Sequence, residues 1–238
     1  MTADVFSFEH VSVGDDAGHW RLHEAVGAIP DCGVTAIVGP SGSGKSTLLR
    51  CCNRLEAVSR GVVRFRGVDV ATIEPLSLRR RVGMVFQRPT PFAGTGRDNL
   101  RVAAPDLSDD QAADLLAEVR LDASFLDRDA MRLSGGEAQR LCLARSLAAE
   151  PEVLLMGEVT SSVDPGTRVA LEELARTCAG RGVRVLWVTH DFAQARRIAE
   201  HALVVLAGRI AHAAAVADLE TDAPPDVRAF LREGSDAE

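Results

Sequence analysis

Between Val34 and Leu55 the chain reads as strand, glycine-rich turn and helix. Val34-Thr35-Ala36-Ile37-Val38 is short and mostly apolar, the pattern of a buried strand. Leu48, Cys51, Cys52 and Leu55 recur at i, i+3, i+4 and i+7, the stripe of an amphipathic helix. Between them lies Gly39-Pro40-Ser41-Gly42-Ser43-Gly44-Lys45-Ser46. Its glycines permit φ values and close approaches that a Cβ would block. Backbone N–H groups can then converge on an anion, with the positive end of a helix behind them. A turn of this kind is a phosphate cradle.

Lys45 is placed to reach β- and γ-phosphates, Ser46 to set its hydroxyl on Mg²⁺, and Thr47 to extend the nucleotide contact. Of the 27 lysines and arginines, Lys45 alone is a lysine. The chain uses arginine wherever either cation serves, so lysine here implies that a compact ammonium is required.

The rest of the chain supplies an α/β frame. Val5–Phe8 and Val11–Val13 read as an opening strand pair, with Asp15-Asp16-Ala17-Gly18 as a turn. Gly61–Gly67 and Val82–Phe86 are further strands, the second ending at Gln87. Pro89, Pro91 and Pro105 punctuate a loop. Ser108 with Gln111 has capping-box spacing, opening a helix with the stripe Ala112, Leu115, Leu116 and Val119. Residues 88–133 thus read as a helical, strand-free inserted subdomain. Val153–Met156 is a strand of the fully buried kind. A helix from Asp164 and Pro165 turns Leu171, Leu174, Ala175 and Cys178 inward. Val183–Val188 ends at Thr189-His190, and Leu203–Leu206 with Gly208, Arg209 and Ile210 forms a closing hairpin. Residues 213–238 are expected to be a C-terminal helix and an acidic tail. Strands alternating with helices predict a largely parallel sheet in a single domain of 238 residues.

Composition removes several classes. A formal net charge of -7 argues against nucleic acid held on a broad basic face. The 5 cysteines form no CxxC pair, and Cys51, Cys52 and Cys178 fall on apolar helix faces, as free thiols do in a reducing compartment. Met1–His10 has no secretory pattern. No apolar run approaches the roughly 18 residues that span a bilayer. The expectation is a cytoplasmic protein that reaches a membrane only through a partner.

Leu133-Ser134-Gly135-Gly136-Glu137-Ala138-Gln139-Arg140 narrows the reading. It resembles the signature motif of ATP-binding-cassette (ABC) ATPases, and that family's other marks follow in order. Gln87 resembles the Q-loop glutamine, Glu158 the Walker B glutamate, Ser162-Val163-Asp164 the D-loop and His190 the switch histidine. The resemblance covers residues 5–212. It implies a P-loop NTPase fold with a mostly parallel core sheet, an N-terminal antiparallel β subdomain and an inserted helical subdomain. It also implies head-to-tail dimers, each ATP lying between one copy's phosphate loop (Gly39, Pro40, Ser41, Gly42, Ser43, Gly44, Lys45, Ser46, Thr47) and the other's Ser134, Gly135 and Gly136. Glu158 would act as general base, His190 would contact the γ-phosphate, and Gln87 with Ser46 would attend to Mg²⁺. Each motif residue also has a plainer account: Ser134 and Glu137 fit a capping box, and Asp164 is a good N-cap.

Two departures stand out. Gly157-Glu158-Val159 replaces the family's Asp-Glu-Pro, so a carboxylate that helps hold Mg²⁺ is missing. Binding of ATP is expected to survive and hydrolysis to slow. The chain also contains no tyrosine to stack on adenine; Trp20 is the nearest aromatic, with an ordinary surface or core tryptophan as the alternative. The resemblance implies the ATPase subunit of a transporter, most similar to bacterial phosphate-type importers. It would sit on the inner face of the cell membrane with separate permease chains and a solute-binding protein. Residues 88–99 would receive the permease. The alternative is a hydrolysis-poor, ATP-dependent dimer clamp or regulator. A DNA-repair or translation role fits less well, because no coiled coil, zinc module or second cassette is visible.

Overall fold

The computed structural model describes residues 4–14, 18–160 and 163–233. The antiparallel strands β1 (Asp4–Gly14) and β2 (Trp20–Pro30) come first. Then follow β3 (Val34–Val38), α1 (Lys45–Cys51), β4 (Arg60–Phe65), β5 (Val68–Asp69) and α2 (Pro75–Arg81). The middle of the chain holds β6 (Val82–Val85), α3 (Gly96–Ala103), α4 (Asp109–Glu118), α5 (Gly135–Ala148), β7 (Val153–Gly157) and α6 (Pro165–Gly180). It closes with β8 (Arg184–Thr189), α7 (Phe192–Ile198), β9 (His201–Leu206), β10 (Arg209–Ala215), α8 (Leu219–Asp222) and α9 (Pro225–Glu233). These elements form two compact units. One runs to Arg79 and resumes at Arg184; the other is Arg80–Val183.

In the first unit β3 lies between β8 and β9, parallel to both, and β10 pairs antiparallel with β9. Every residue of β3 is buried, which explains its unbroken apolar run. Ala36, Val38, Ala202 and Val204 pack with Phe192 and Ala195 of α7, Leu219 of α8, and Val227 and Leu231 of α9. Full burial of the valine, leucine and phenylalanine side chains among them contributes about 1.5–3 kcal/mol apiece before entropy is counted. A separate antiparallel sheet has the order β2-β1-β4-β5. Asp31 at its edge accepts from Arg66 at 2.8 Å and Arg184 at 2.5 Å.

Several local expectations change here. The opening strand pair is one strand: β1 runs through His10, whose φ of 50° and the register shift between Phe8 and Val11 make a bulge rather than a turn. Its partner β2 was not anticipated, because Leu22, Ala25 and Ile29 are spaced by three and four, closer to a helical than a strand period. The Asp15–Ala17 part of the expected turn and the acidic tail from Gly234 lie outside the described residues. Leu55 does not extend the α1 stripe. The helix ends at Cys51, the amides of Leu55 and Glu56 return to the Arg50 carbonyl at 3.0 and 3.2 Å, and Arg54 turns left-handed at φ 56°. Leu55 is left 41% exposed. The strand expected over Gly61–Gly67 stops at Phe65, since Arg66 and Gly67, at φ 48° and 81°, make the hairpin turn into β5.

In the second unit β6 and β7 pair in parallel, from Val82 with Val153 to Val85 with Met156. Thr95 with Asp98, Ser108 with Gln111, and Ser134 with Glu137 form complete capping boxes on α3, α4 and α5. Asp164 caps α6, with Pro165 in its first turn. Residues 88–133 hold α3, α4 and short 3₁₀ turns, with an isolated bridge between Thr95 and Asp129.

Candidate nucleotide site

Strand register places the site residues. In the first unit Val38 pairs with Thr189, so Gly39 and His190 leave the carboxyl ends of adjacent parallel strands side by side. Ligands of open α/β sheets gather at such ends. The turn after Val38 is built so closely that a Cβ on Gly39 would collide with the Val205 carbonyl and lie 2.8 Å from Ser43 Oγ. Gly44 sits at φ 105°, where a Cβ would come 2.6 Å from the Arg21 carbonyl oxygen. Neither position admits another residue without strain.

Lys45 is 3% exposed and donates from Nζ to the carbonyls of Gly39 and Pro40, both at 2.8 Å. A buried ammonium is costly without acceptors, so these carbonyls hold the charge at the cradle. Ser43 Oγ is buried and without a hydrogen-bond partner. An orphaned buried hydroxyl costs about 1–3 kcal/mol, a penalty that a phosphate oxygen would relieve. The cation, the orphaned hydroxyl and the glycine-lined turn together fit a nucleotide phosphate. Thr47 is buried behind them, and Ser46 is exposed. His190 is exposed. The loop carrying it is fixed by Thr189 Oγ1, which accepts from the Asp191 amide at 3.0 Å, and by Asp191, which caps α7.

In the second unit the same geometry recurs. Val85 pairs with Met156, so Gln87 and Glu158 lie two residues beyond one paired position. Gln87 is exposed, Gly157 is the buried last residue of β7, and Glu158 is half-buried at φ 47°. Among the described residues no group of three or more His, Cys, Asp or Glu side chains could hold a metal. The hydroxyl of Ser46 and the amide oxygen of Gln87 are each hard donors of the kind that Mg²⁺ takes.

The Ser134 stretch opens α5. Ser134 Oγ donates to Glu137 Oε2 at 2.7 Å, and the Ser134 amide bonds the same oxygen at 2.8 Å. These bonds hold the Glu137 carboxyl below its usual range. Gly135 is open on its Cα side, and Gly136 faces Thr167. Thr167 accepts from Arg140 at 3.2 Å and donates to Asp164 at 2.6 Å, joining the α5 and α6 N-termini in one network. That network depresses the Asp164 carboxyl. Thr167 and Arg140 were not singled out from sequence; Thr167 is signalled only by its place three residues after the Asp164 cap. Of the Ser162-Val163-Asp164 stretch, Ser162 lies outside the described residues.

Trp20 is a surface residue rather than a core one. A Cβ on Gly14 would come 2.7 Å from Trp20 Cε3, and the Arg60 guanidinium stands 5.5 Å from the ring centroid. Two further polar residues escaped the sequence reading. Asn99 is fully buried and bonds Phe92 through both its amide and its carbonyl. Gln139 is buried on α5 and donates to the Phe86 carbonyl at 3.0 Å.

Residues 22–161 match the family model described as ABC transporter. The chain belongs to that family. Its fold is that of the family's ATPase cassette: a P-loop α/β core with an N-terminal antiparallel sheet and helices. Protein STAR1 of rice (Oryza sativa subsp. japonica) is 41% identical over 208 residues, 85% of this chain and 60% of that protein. Phosphate import ATP-binding protein PstB 1 of Vibrio parahaemolyticus is 41% identical over 206 residues, 79% of this chain and 75% of the relative. In sequence this ABC ATPase is therefore phosphate-importer-like. Among solved structures, an ATP-binding cassette dimer in a post-hydrolysis state with ADP and Pi superposes with a TM-score of 0.78 at 25% identity, covering 89% of this chain and 98% of that one. No helix among the described residues of this cassette is long and apolar enough to cross a membrane.

Proposed function

We propose that this cassette binds and hydrolyses ATP to drive a membrane transporter, working as a head-to-tail pair on the cytoplasmic face of the cell membrane. The observation that carries the reading is the cradle of the first unit, where a buried ammonium and an orphaned hydroxyl wait behind a turn that only glycine permits. Ser134, Gly135 and Gly136 of a second copy complete the site, offering a hydroxyl and helix-opening N–H groups to the γ-phosphate. On binding, the Ser134 hydroxyl exchanges Glu137 for the phosphate, while the Ser134 amide keeps the cap. Glu158 orients the attacking water and takes its proton. His190 steadies the γ-phosphate from the end of β8. Mg²⁺ held by Ser46 and Gln87 would neutralise charge on the transferred group.

The likeness to the Vibrio importer subunit supports a solute importer, with permease chains and a solute-binding protein as partners. Residues 88–99 form the docking face. Phe92 is 49% exposed there, with the Arg145 guanidinium 4.3 Å from its ring, while Asn99 fixes the backbone beneath. Sedimentation of Glu158→Gln with ATP tests the pairing: a nucleotide-dependent dimer is expected, and a monomer at saturating ATP and tens of micromolar protein contradicts it.

Gly157 supports a second reading, a clamp or regulator that closes on ATP and hydrolyses it slowly. Without a carboxylate at the end of β7, metal placement rests on fewer ligands. Steady-state turnover with and without Mg²⁺ separates the two readings.

A further inference from the structure

We infer that Gln139 is a positioning residue for Gln87, fastening the end of β6 to the signature helix. The inference rests on the proposed Mg²⁺ role of Gln87.

Gln139 lies one turn into α5 and is 1% exposed. A primary amide at a helix–strand contact is a costly choice where leucine or methionine would fill the space. Its Nε2 donates to the carbonyl of Phe86, the first residue beyond β6 and the neighbour of Gln87.

The same helix holds the strand and loop on both sides of that point. Ser146 Oγ donates to the Met84 carbonyl at 3.3 Å, and Arg145 Nη1 donates to the Thr90 carbonyl at 3.1 Å. These bonds hold residues 84 and 90. The Gln139 bond grips the residue next to Gln87. Phe86 is 37% exposed and Gln87 is exposed. Ser134 opens this helix five residues before Gln139, about 7.5 Å along the axis at 1.5 Å per residue. A shift of the signature end is therefore passed to Gln87 through a rigid turn and a half of helix.

The test is a double-mutant cycle read by binding. A fluorescent ATP analogue is titrated in Mg²⁺ and in EDTA, and the ratio of the two affinities is compared for wild type, Gln87→Ala, Gln139→Met and the double variant. Gln139→Met is expected to lower the ratio about three- to tenfold, with the EDTA affinity and melting temperature near wild type. The double variant is expected to match Gln87→Ala alone, because Gln139 acts through Gln87. If Gln87→Ala lowers the ratio while Gln139→Met leaves it unchanged, or if the two effects multiply, the inference is overturned. If Gln87→Ala itself leaves the ratio unchanged, the metal role of Gln87 falls first and the positioning role falls with it. Should Gln139→Met not fold, Gln139→Asn carries the same expectation, since its amide is one methylene too short to reach the carbonyl.

Discussion

Lys45 is the point where residue type, burial and charge agree. Its ammonium is buried and bonded to two loop carbonyls, a geometry that a point charge can satisfy and that the larger planar guanidinium fills badly. Lys45→Arg is expected to weaken ATP binding at least about tenfold, or ~1.4 kcal/mol, in a calorimetric titration. The lysine was legible because the chain has no other. Asn99 was not, since a lone asparagine just after a proline-rich stretch carries no periodic signal. In the structure it accepts from the Phe92 amide and donates to the carbonyls of Phe92 and Thr95, so it substitutes for secondary structure where the loop has none. Asn99→Ala leaves these groups unpaired and should cost about 2–3 kcal/mol in denaturant unfolding.

Among the elements, the capping boxes show how local chemistry sets boundaries. Those at Ser108 and Ser134 could be read from spacing, and the Asp164-Pro165 start of α6 likewise. The α3 box went unread because its fourth residue is Asp98 rather than Glu or Gln. Strands β3, β7 and β8 announced themselves as continuous apolar runs, whereas the bulges of β1 and β2 erased the period of two. The Glu137 cap has a pH signature. Its carboxyl is held below the ordinary 4.5 chiefly by the Ser134 hydroxyl, so its contribution is complete above that value and is lost as pH falls through the lower folded value. The stability difference between wild type and Glu137→Gln should stay flat from about pH 8 to 5 and shrink in more acidic solution. A difference that shrinks near neutrality would contradict the assignment.

At the scale of the whole molecule, the order of motifs carried the family. Strand register then set the candidate site residues in pairs, Gly39 beside His190 and Gln87 beside Glu158. Sequence could name these residues but not their pairing, because parallel register depends on contacts far apart in the chain. The departure from the family is also a single-residue matter with a molecular consequence. Gly157 ends β7 where a carboxylate would assist Mg²⁺, and the expected consequence is retained nucleotide binding with slowed turnover. The direct measurement is steady-state ATPase activity of wild type against Gly157→Asp at limiting Mg²⁺, with ATP affinity determined in parallel. The expected result is similar affinity and turnover at least about tenfold higher in Gly157→Asp, a barrier lowered by ~1.4 kcal/mol. Equal turnover of the two proteins at limiting Mg²⁺ would contradict it.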